Sequence, residues 1–167
     1  KKYENKIFHC GYIIRDEILN KEINENLYQS DKNNFSILII GGSQSAKIFG
    51  ELLPDILIKC HEEGLKIKVY QQCLDYQVND INKIYAKNKL DFELFVFSQD
   101  IIKYYKKSDL VISRAGASSL AEIINLRIPS IAIPLPSSID NHQYENAKYY
   151  EKKGYCFLLD QNLISNK

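Results

Sequence analysis

Asp109-Leu-Val-Ile-Ser-Arg-Ala-Gly-Ala-Ser-Ser-Leu-Ala-Glu122 decides the fold. An apolar run short enough for a buried strand gives way to Ala115, Gly116 and Ala117, then to a helical pattern carrying Ser118, Ser119 and Glu122. Small residues let a backbone approach a ligand, and a helix start offers free N–H groups and the positive end of a dipole. Strand, tight turn and helix in that order form the unit that holds phosphate or a sugar nucleotide at the edge of an open sheet. Further on, Asp140-Asn-His-Gln-Tyr-Glu-Asn-Ala147 opens a second helix with a polar cluster.

Outward from this stretch the same alternation recurs. Strands are expected at Ile37–Ile40, Lys66–Tyr70, Phe92–Phe97, Leu110–Ser113, Ser130–Ile133 and Tyr155–Leu159. Helices are expected from about Ala46 to Lys59, Tyr76 to Lys87, Ala117 to Leu126 and Asn141 to Lys152, with a short one near Ile101–Tyr105. Short apolar strands separated by helices imply a parallel sheet covered on both faces. The fold class is therefore α/β, a Rossmann-like parallel sheet with helices on both faces. Residues 1–34, with a brief apolar stretch around Ile7–Ile14 and then an Asn-rich run, are expected to be a connector and the start of the domain, and residues 35–167 the domain itself.

Bulk properties narrow the function. A length of 167 residues suits one core that buries about two-thirds of the unfolded surface. The formal charge of +1 provides no broad basic field, so no nucleic-acid partner is expected and phosphate recognition must be local. Cys10, Cys60, Cys73 and Cys156 are far apart and share no ligand spacing with the three histidines, which argues for reduced thiols and against zinc or a disulfide framework. No apolar run approaches the roughly 20 residues that span a bilayer, and a cytoplasmic protein is expected. The chain contains no methionine and its last residues carry no finished element, as expected of a piece of a longer protein.

Three constellations could carry chemistry, each with a structural alternative. Gly41-Gly-Ser-Gln-Ser45 fits either a phosphate-approaching turn, with Ser43 as donor, or a plain strand-to-helix turn capped by Ser43 or Ser45. It is neither a Walker A loop nor a dinucleotide fingerprint. Glu122 is placed to take both hydroxyls of a ribose, yet Ser119-x-x-Glu122 also fits a capping box. Arg114 fits a pyrophosphate contact or a surface pair with a carboxylate. Gln143 and Asn146 share a helix face suited to sugar hydroxyls, while Asp140-x-x-Gln143 is itself a capping-box pattern. His142 reads as a surface histidine, and Pro134 and Pro136 shape a loop.

Taken in order, Gly41-Gly-Ser-Gln44, Ser113-Arg-Ala-Gly-Ala-Ser-Ser-x-x-Glu122, Ile133-Pro-Leu-Pro136, Asp140-Asn-His-Gln143 and Asn146-Ala-Lys148 resemble the C-terminal, donor-binding domain of the MurG family. These are undecaprenyldiphospho-muramoylpentapeptide beta-N-acetylglucosaminyltransferases, which convert lipid I to lipid II in peptidoglycan synthesis. The resemblance runs from about His9 to Gly154. It implies the C-terminal half of a GT-B fold, UDP-N-acetylglucosamine (UDP-GlcNAc) as donor, and no metal or other cofactor. It further implies lipid I as a partner through an absent N-terminal domain that carries the catalytic base, and a full-length protein peripheral on the cytoplasmic face of the bacterial inner membrane.

Carried over by position, Arg15 matches the arginine of the family's Gly-Asn-Pro-x-Arg segment, and Ser43 the serine of its glycine loop. Ser98 falls where a backbone contact to uracil is expected. Ala117, Ser118, Ser119, Leu120, Ala121 and Glu122 match the segment around diphosphate and ribose, with Glu122 as ribose ligand, and Gln143 matches the glutamine that reads the GlcNAc. The chain departs from the family pattern at Tyr12-Ile13 in place of Asn-Pro, at Ser45 in place of glycine, and at Leu74 in place of the glycine after a His-Gln-x motif. Those departures keep two alternatives open, another UDP-sugar transferase of GT-B type such as a glycolipid synthase, and a non-catalytic nucleotide-binding remnant or subunit.

Overall fold

The computed structural model describes residues 14–19 and 33–165, without the side chains of residues 43–46 and 165. Six strands form one parallel sheet: β1 (Phe35–Ile40), β2 (Ile67–Gln72), β3 (Asp91–Phe95), β4 (Leu110–Ser113), β5 (Ser130–Ala132) and β6 (Phe157–Leu158). Their order is β3-β2-β1-β4-β5-β6. Successive strands are joined by α2 (Gly42–Glu62), α3 (Val78–Lys87), α4 (Ile102–Tyr105), α5 (Ala117–Asn125) and α6 (His142–Glu151). A helical turn, α1 (Asp16–Leu19), precedes the sheet and α7 (Gln161–Ser165) follows it.

The central strands are apolar at consecutive positions because both faces are covered. On β1, Ile37 and Ile39 pack with Phe49, Leu53 and Leu57 of α2 and with Ile81 and Tyr85 of α3. Leu38, between them, faces the opposite layer with Tyr104, Tyr105, Ile123 and Leu126. Ile18 of α1 is fully buried in that second layer, so the described part of the opening segment is docked on the core.

Boundaries differ from expectation where local chemistry intervenes. α2 begins at Gly42, four residues before the expected Ala46, because the glycine pair turns directly into the helix: Gly41 is the N-cap and Gly42 takes φ +66°. β3 ends at Phe95 instead of Phe97, leaving Val96 and Phe97 exposed in the following loop. The helix expected from Tyr76 opens as a 3-10 turn, Asp75–Gln77, before α3. The last strand is only two residues long.

Candidate functional site

The chain runs outward from β1 through β2 to β3 and returns to β4 on the other side of β1, so the C-terminal ends of β1 and β4 flank the point where the strand order reverses. Loops diverge there and leave a crevice. A cavity of about 440 Å³ lies at this edge. Arg15, Ser98, Ser119, Glu122 and Gln143 line it, together with Gly41, Gly42, Arg114 and Gly116. Five of the ten residues singled out from sequence therefore meet around one space.

The other five divide by position. Ser43 lies in the first turn of α2, and its side chain is outside the described residues, as is that of Ser45. Ala117 and Ser118 open α5, with Ser118 exposed. Leu120 and Ala121 are buried, and the Leu120 N–H already donates to the Gly116 carbonyl. The structure turns those two side chains into the protein and away from the cavity. Tyr12 is also outside the described residues.

Geometry removes the capping-box reading of Glu122. The N-cap of α5 is Gly116, in extended conformation and with no side-chain cap, so Ser119 stands three residues inside the start and cannot form the expected capping box. The Glu122 side chain, 8% exposed, instead receives Arg15 Nε at 2.8 Å on Oε1 and Nη2 at 3.4 Å on Oε2. Tyr105, buried on α4, lies beside the same carboxylate; burial first, then the negative charge of Glu122, pushes its hydroxyl pKa upward. A carboxylate gripped by both arms of a guanidinium is fixed in orientation at the cavity wall.

Arg114 is not the surface partner of a carboxylate; it lines the same cavity from a largely buried position. It is 6% exposed, and Nη1 donates to the carbonyls of Ile133 at 3.1 Å and Pro134 at 3.0 Å, while Nη2 donates to Gln161 Oε1 at 2.7 Å. Its guanidinium carbon stands 4.7 Å from the centre of the Phe49 ring. Burial draws its pKa down to about 10, which leaves it charged at neutral pH. The residue after Ser113 thus braces the turn beyond β5 from a buried position at the cavity wall.

The alternative of a capping box at Asp140 and Gln143 is likewise absent. Asp140 and Asn141 both have positive φ, at 48° and 54°, and Asn141 makes no side-chain cap. Gln143 Oε1 accepts from the Leu135 N–H at 3.0 Å, and Asn146 Nδ2 donates to the Ala115 carbonyl at 3.2 Å. His142 is exposed and bonds locally to the Ile139 carbonyl, as expected of a surface histidine. Because a backbone N–H can only donate, the side of Gln143 toward Leu135 is its oxygen; what the amide keeps for a ligand is its NH₂ group.

Two participants escaped sequence reasoning. Gln72, at the end of β2, accepts from Gly41 N at 3.2 Å and Gly42 N at 3.1 Å and donates to the Val96 carbonyl, tying the glycine turn to the loop that carries Ser98. A glutamine ending an apolar run was its only signal. Tyr105 had none, since an aromatic residue on a short helix reads as core. Among the described residues, Cys60, Cys73 and Cys156 are free thiols, and no helix is long and apolar enough to cross a membrane.

Strand order and cavity define the class: a doubly wound α/β domain with a ligand crevice at its switch point. The chain belongs to the glycosyltransferase family 28 C-terminal domain family, whose model matches residues 36–167. A UDP-N-acetylglucosamine--N-acetylmuramyl-(pentapeptide) pyrophosphoryl-undecaprenol N-acetylglucosamine transferase from Pelagibacter ubique is 40% identical over 99% of this chain and 45% of its own length. The protein of the same name from Rickettsia canadensis is 46% identical over 97% of this chain and 46% of its own length. The crystal structure of Acinetobacter baumannii MurG superposes with a TM-score of 0.76 at 30% identity, covering 87% of this chain and 42% of that one. The chain thus spans about half the length of the curated relatives it matches.

Proposed function

We propose that this domain binds UDP-GlcNAc as the donor half of an inverting, metal-independent glycosyltransferase, and that the longer protein transfers GlcNAc to lipid I in peptidoglycan synthesis. The observation that carries the reading is the convergence of the Gly41–Gly42 turn, the start of α5, Glu122 and Gln143 on one cavity. Each part suits a different portion of the donor. The starts of α2 and α5 present N–H groups and positive dipole ends suited to a diphosphate, and the loop at Ser98 offers backbone to a base. Glu122 has the acceptor oxygens a ribose diol needs, and the Gln143 NH₂ suits a sugar oxygen.

Chemically, breaking the sugar–phosphate bond places negative charge on departing UDP. Preformed donors at the two helix starts, with Arg15 nearby, would stabilise that charge where another enzyme uses a cation. The base that takes the proton from the acceptor hydroxyl, the lipid I groove and the surface that rests on the cytoplasmic face of the membrane belong to the half of the protein outside this chain. The name borne by the Pelagibacter ubique and Rickettsia canadensis relatives supports this substrate pair.

Titration calorimetry with UDP-GlcNAc, UDP-galactose, UDP-glucose and NAD tests the donor assignment. UDP-GlcNAc should bind tightest and NAD not at all. Preference for NAD, or indifference among the three sugars, would overturn it.

A further inference from the structure

Arg114 is costly where it stands. A buried guanidinium is normally paired with a carboxylate, but this one spends its donors on two carbonyls and an amide, and its Nε has no partner in the structure. What it gains is geometric. Successive carbonyls of an extended strand point in opposite directions, yet those of Ile133 and Pro134 converge on the single nitrogen Nη1. The chain therefore turns just after β5, whose last ladder bond is the Ile133 N–H to the Ser113 carbonyl at 2.8 Å. Pro134 has no N–H, so the first amide beyond the turn is that of Leu135, and this is the group that holds Gln143 Oε1. Asn146, one helical turn beyond Gln143, is anchored to the carbonyl of Ala115, the residue next to Arg114.

We propose that Arg114 is a positioning residue for sugar recognition: by gathering the Ile133 and Pro134 carbonyls it sets the Leu135 amide, which fixes the Gln143 carboxamide so that its NH₂ faces the donor sugar. This rests on the proposed donor reading and adds a specificity determinant that does not itself touch the sugar. Lysine cannot replace it fully, since a single ammonium lacks the planar fork that also reaches Gln161.

The test compares UDP and UDP-GlcNAc binding by calorimetry for the unaltered chain, Arg114→Met, Arg114→Lys, Gln143→Ala and the double variant Arg114→Met/Gln143→Ala. Arg114→Met should weaken UDP-GlcNAc about two- to tenfold, the range for one net hydrogen bond, with UDP changed less than about twofold. In the Gln143→Ala background it should change neither ligand further. An equal fall for both ligands, as direct phosphate contact or general loosening would produce, overturns the proposal, as does full additivity in the double variant.

Side-chain NMR gives a readout independent of ligand. The Gln143 NH₂ resonances should shift in Arg114→Lys, which retains the stem and the charge, while the Gly41 and Gly42 amides stay in place; unmoved Gln143 signals would overturn the proposal even where Arg114→Met fails to fold. If the unaltered chain binds no UDP, the donor reading falls, and the NMR result alone decides the positioning role.

Discussion

Glu122 shows how one carboxylate can serve structure and ligand together. Its oxygens are engaged by Arg15, and Arg15 is half exposed at its side chain while Glu122 is nearly buried. An exposed cation facing a buried anion contributes little to stability through the pair itself, because water screens it. A ribose diol arriving at the same carboxylate would find it already oriented. Glu122→Gln should therefore lower UDP affinity by about 1–3 kcal/mol, the cost of a lost charge-assisted bond, with a small change in melting temperature. Calorimetry and a thermal melt on one sample separate the roles: a lowered melting temperature with intact affinity would make Glu122 structural. The helix start itself does not depend on this residue, since Gly116 is the N-cap.

At the scale of elements, close approach of helices explains residues that propensity alone would not. Gly50 lies within α2, where alanine is ordinarily better by about 1 kcal/mol. Here an added Cβ would stand 2.7 Å from Gln77 Nε2 and 3.0 Å from Ile81 Cδ1. Gln77 is not free to yield, because its Oε1 accepts from the Leu74 N–H and its Nε2 donates to the Lys47 carbonyl. Gly50→Ala should thus destabilise by about 1–3 kcal/mol in urea unfolding, the reverse of the propensity effect.

Tyr104 of α4 provides a pH test of the opposite layer. Burial first, then its 2.7 Å bond to Glu93, pushes the hydroxyl pKa up to about 12 from 10. A folded-state value above the unfolded one means stability present below pH 10 and lost as pH rises toward 12. Tyr104→Phe should flatten that part of an alkaline stability curve. The helix starts make a further prediction: if they alone neutralise the diphosphate, UDP binding measured with a chelator should match binding measured with Mg²⁺. An absolute requirement for a divalent ion would sink the metal-independent mechanism.

For the whole molecule, the decisive quantity is how much of the relatives' length the chain spans, which is about half. Under the proposed function, donor binding and group transfer are separable on that division. The 167 residues should bind donor yet transfer no sugar, because binding energy without a positioned acceptor and base does not lower the barrier. Supplying the N-terminal half, fused or as a separate chain, should restore transfer of GlcNAc to a lipid I analogue. Turnover by the isolated chain would refute this division, and a reconstituted pair that binds UDP-GlcNAc without turnover would mark a diverged binding protein.

What the sequence by itself determined is the alternation of buried strands and amphipathic helices, hence the parallel sheet, and the two loop clusters at its C-terminal edge. Those signals are local: apolar runs such as Leu110–Ser113, small residues after them and polar helix starts are visible in a few consecutive positions. Tertiary structure decided the partners. Arg15 and Glu122 are 107 residues apart in the chain, and Arg114 reaches Gln161 across 47. No spacing rule reports such contacts, because they depend on how crossovers bring distant loops to one edge. For the same reason both capping-box patterns, sound as local chemistry, yielded to longer-range bonds: Glu122 to Arg15, and Gln143 to the Leu135 amide.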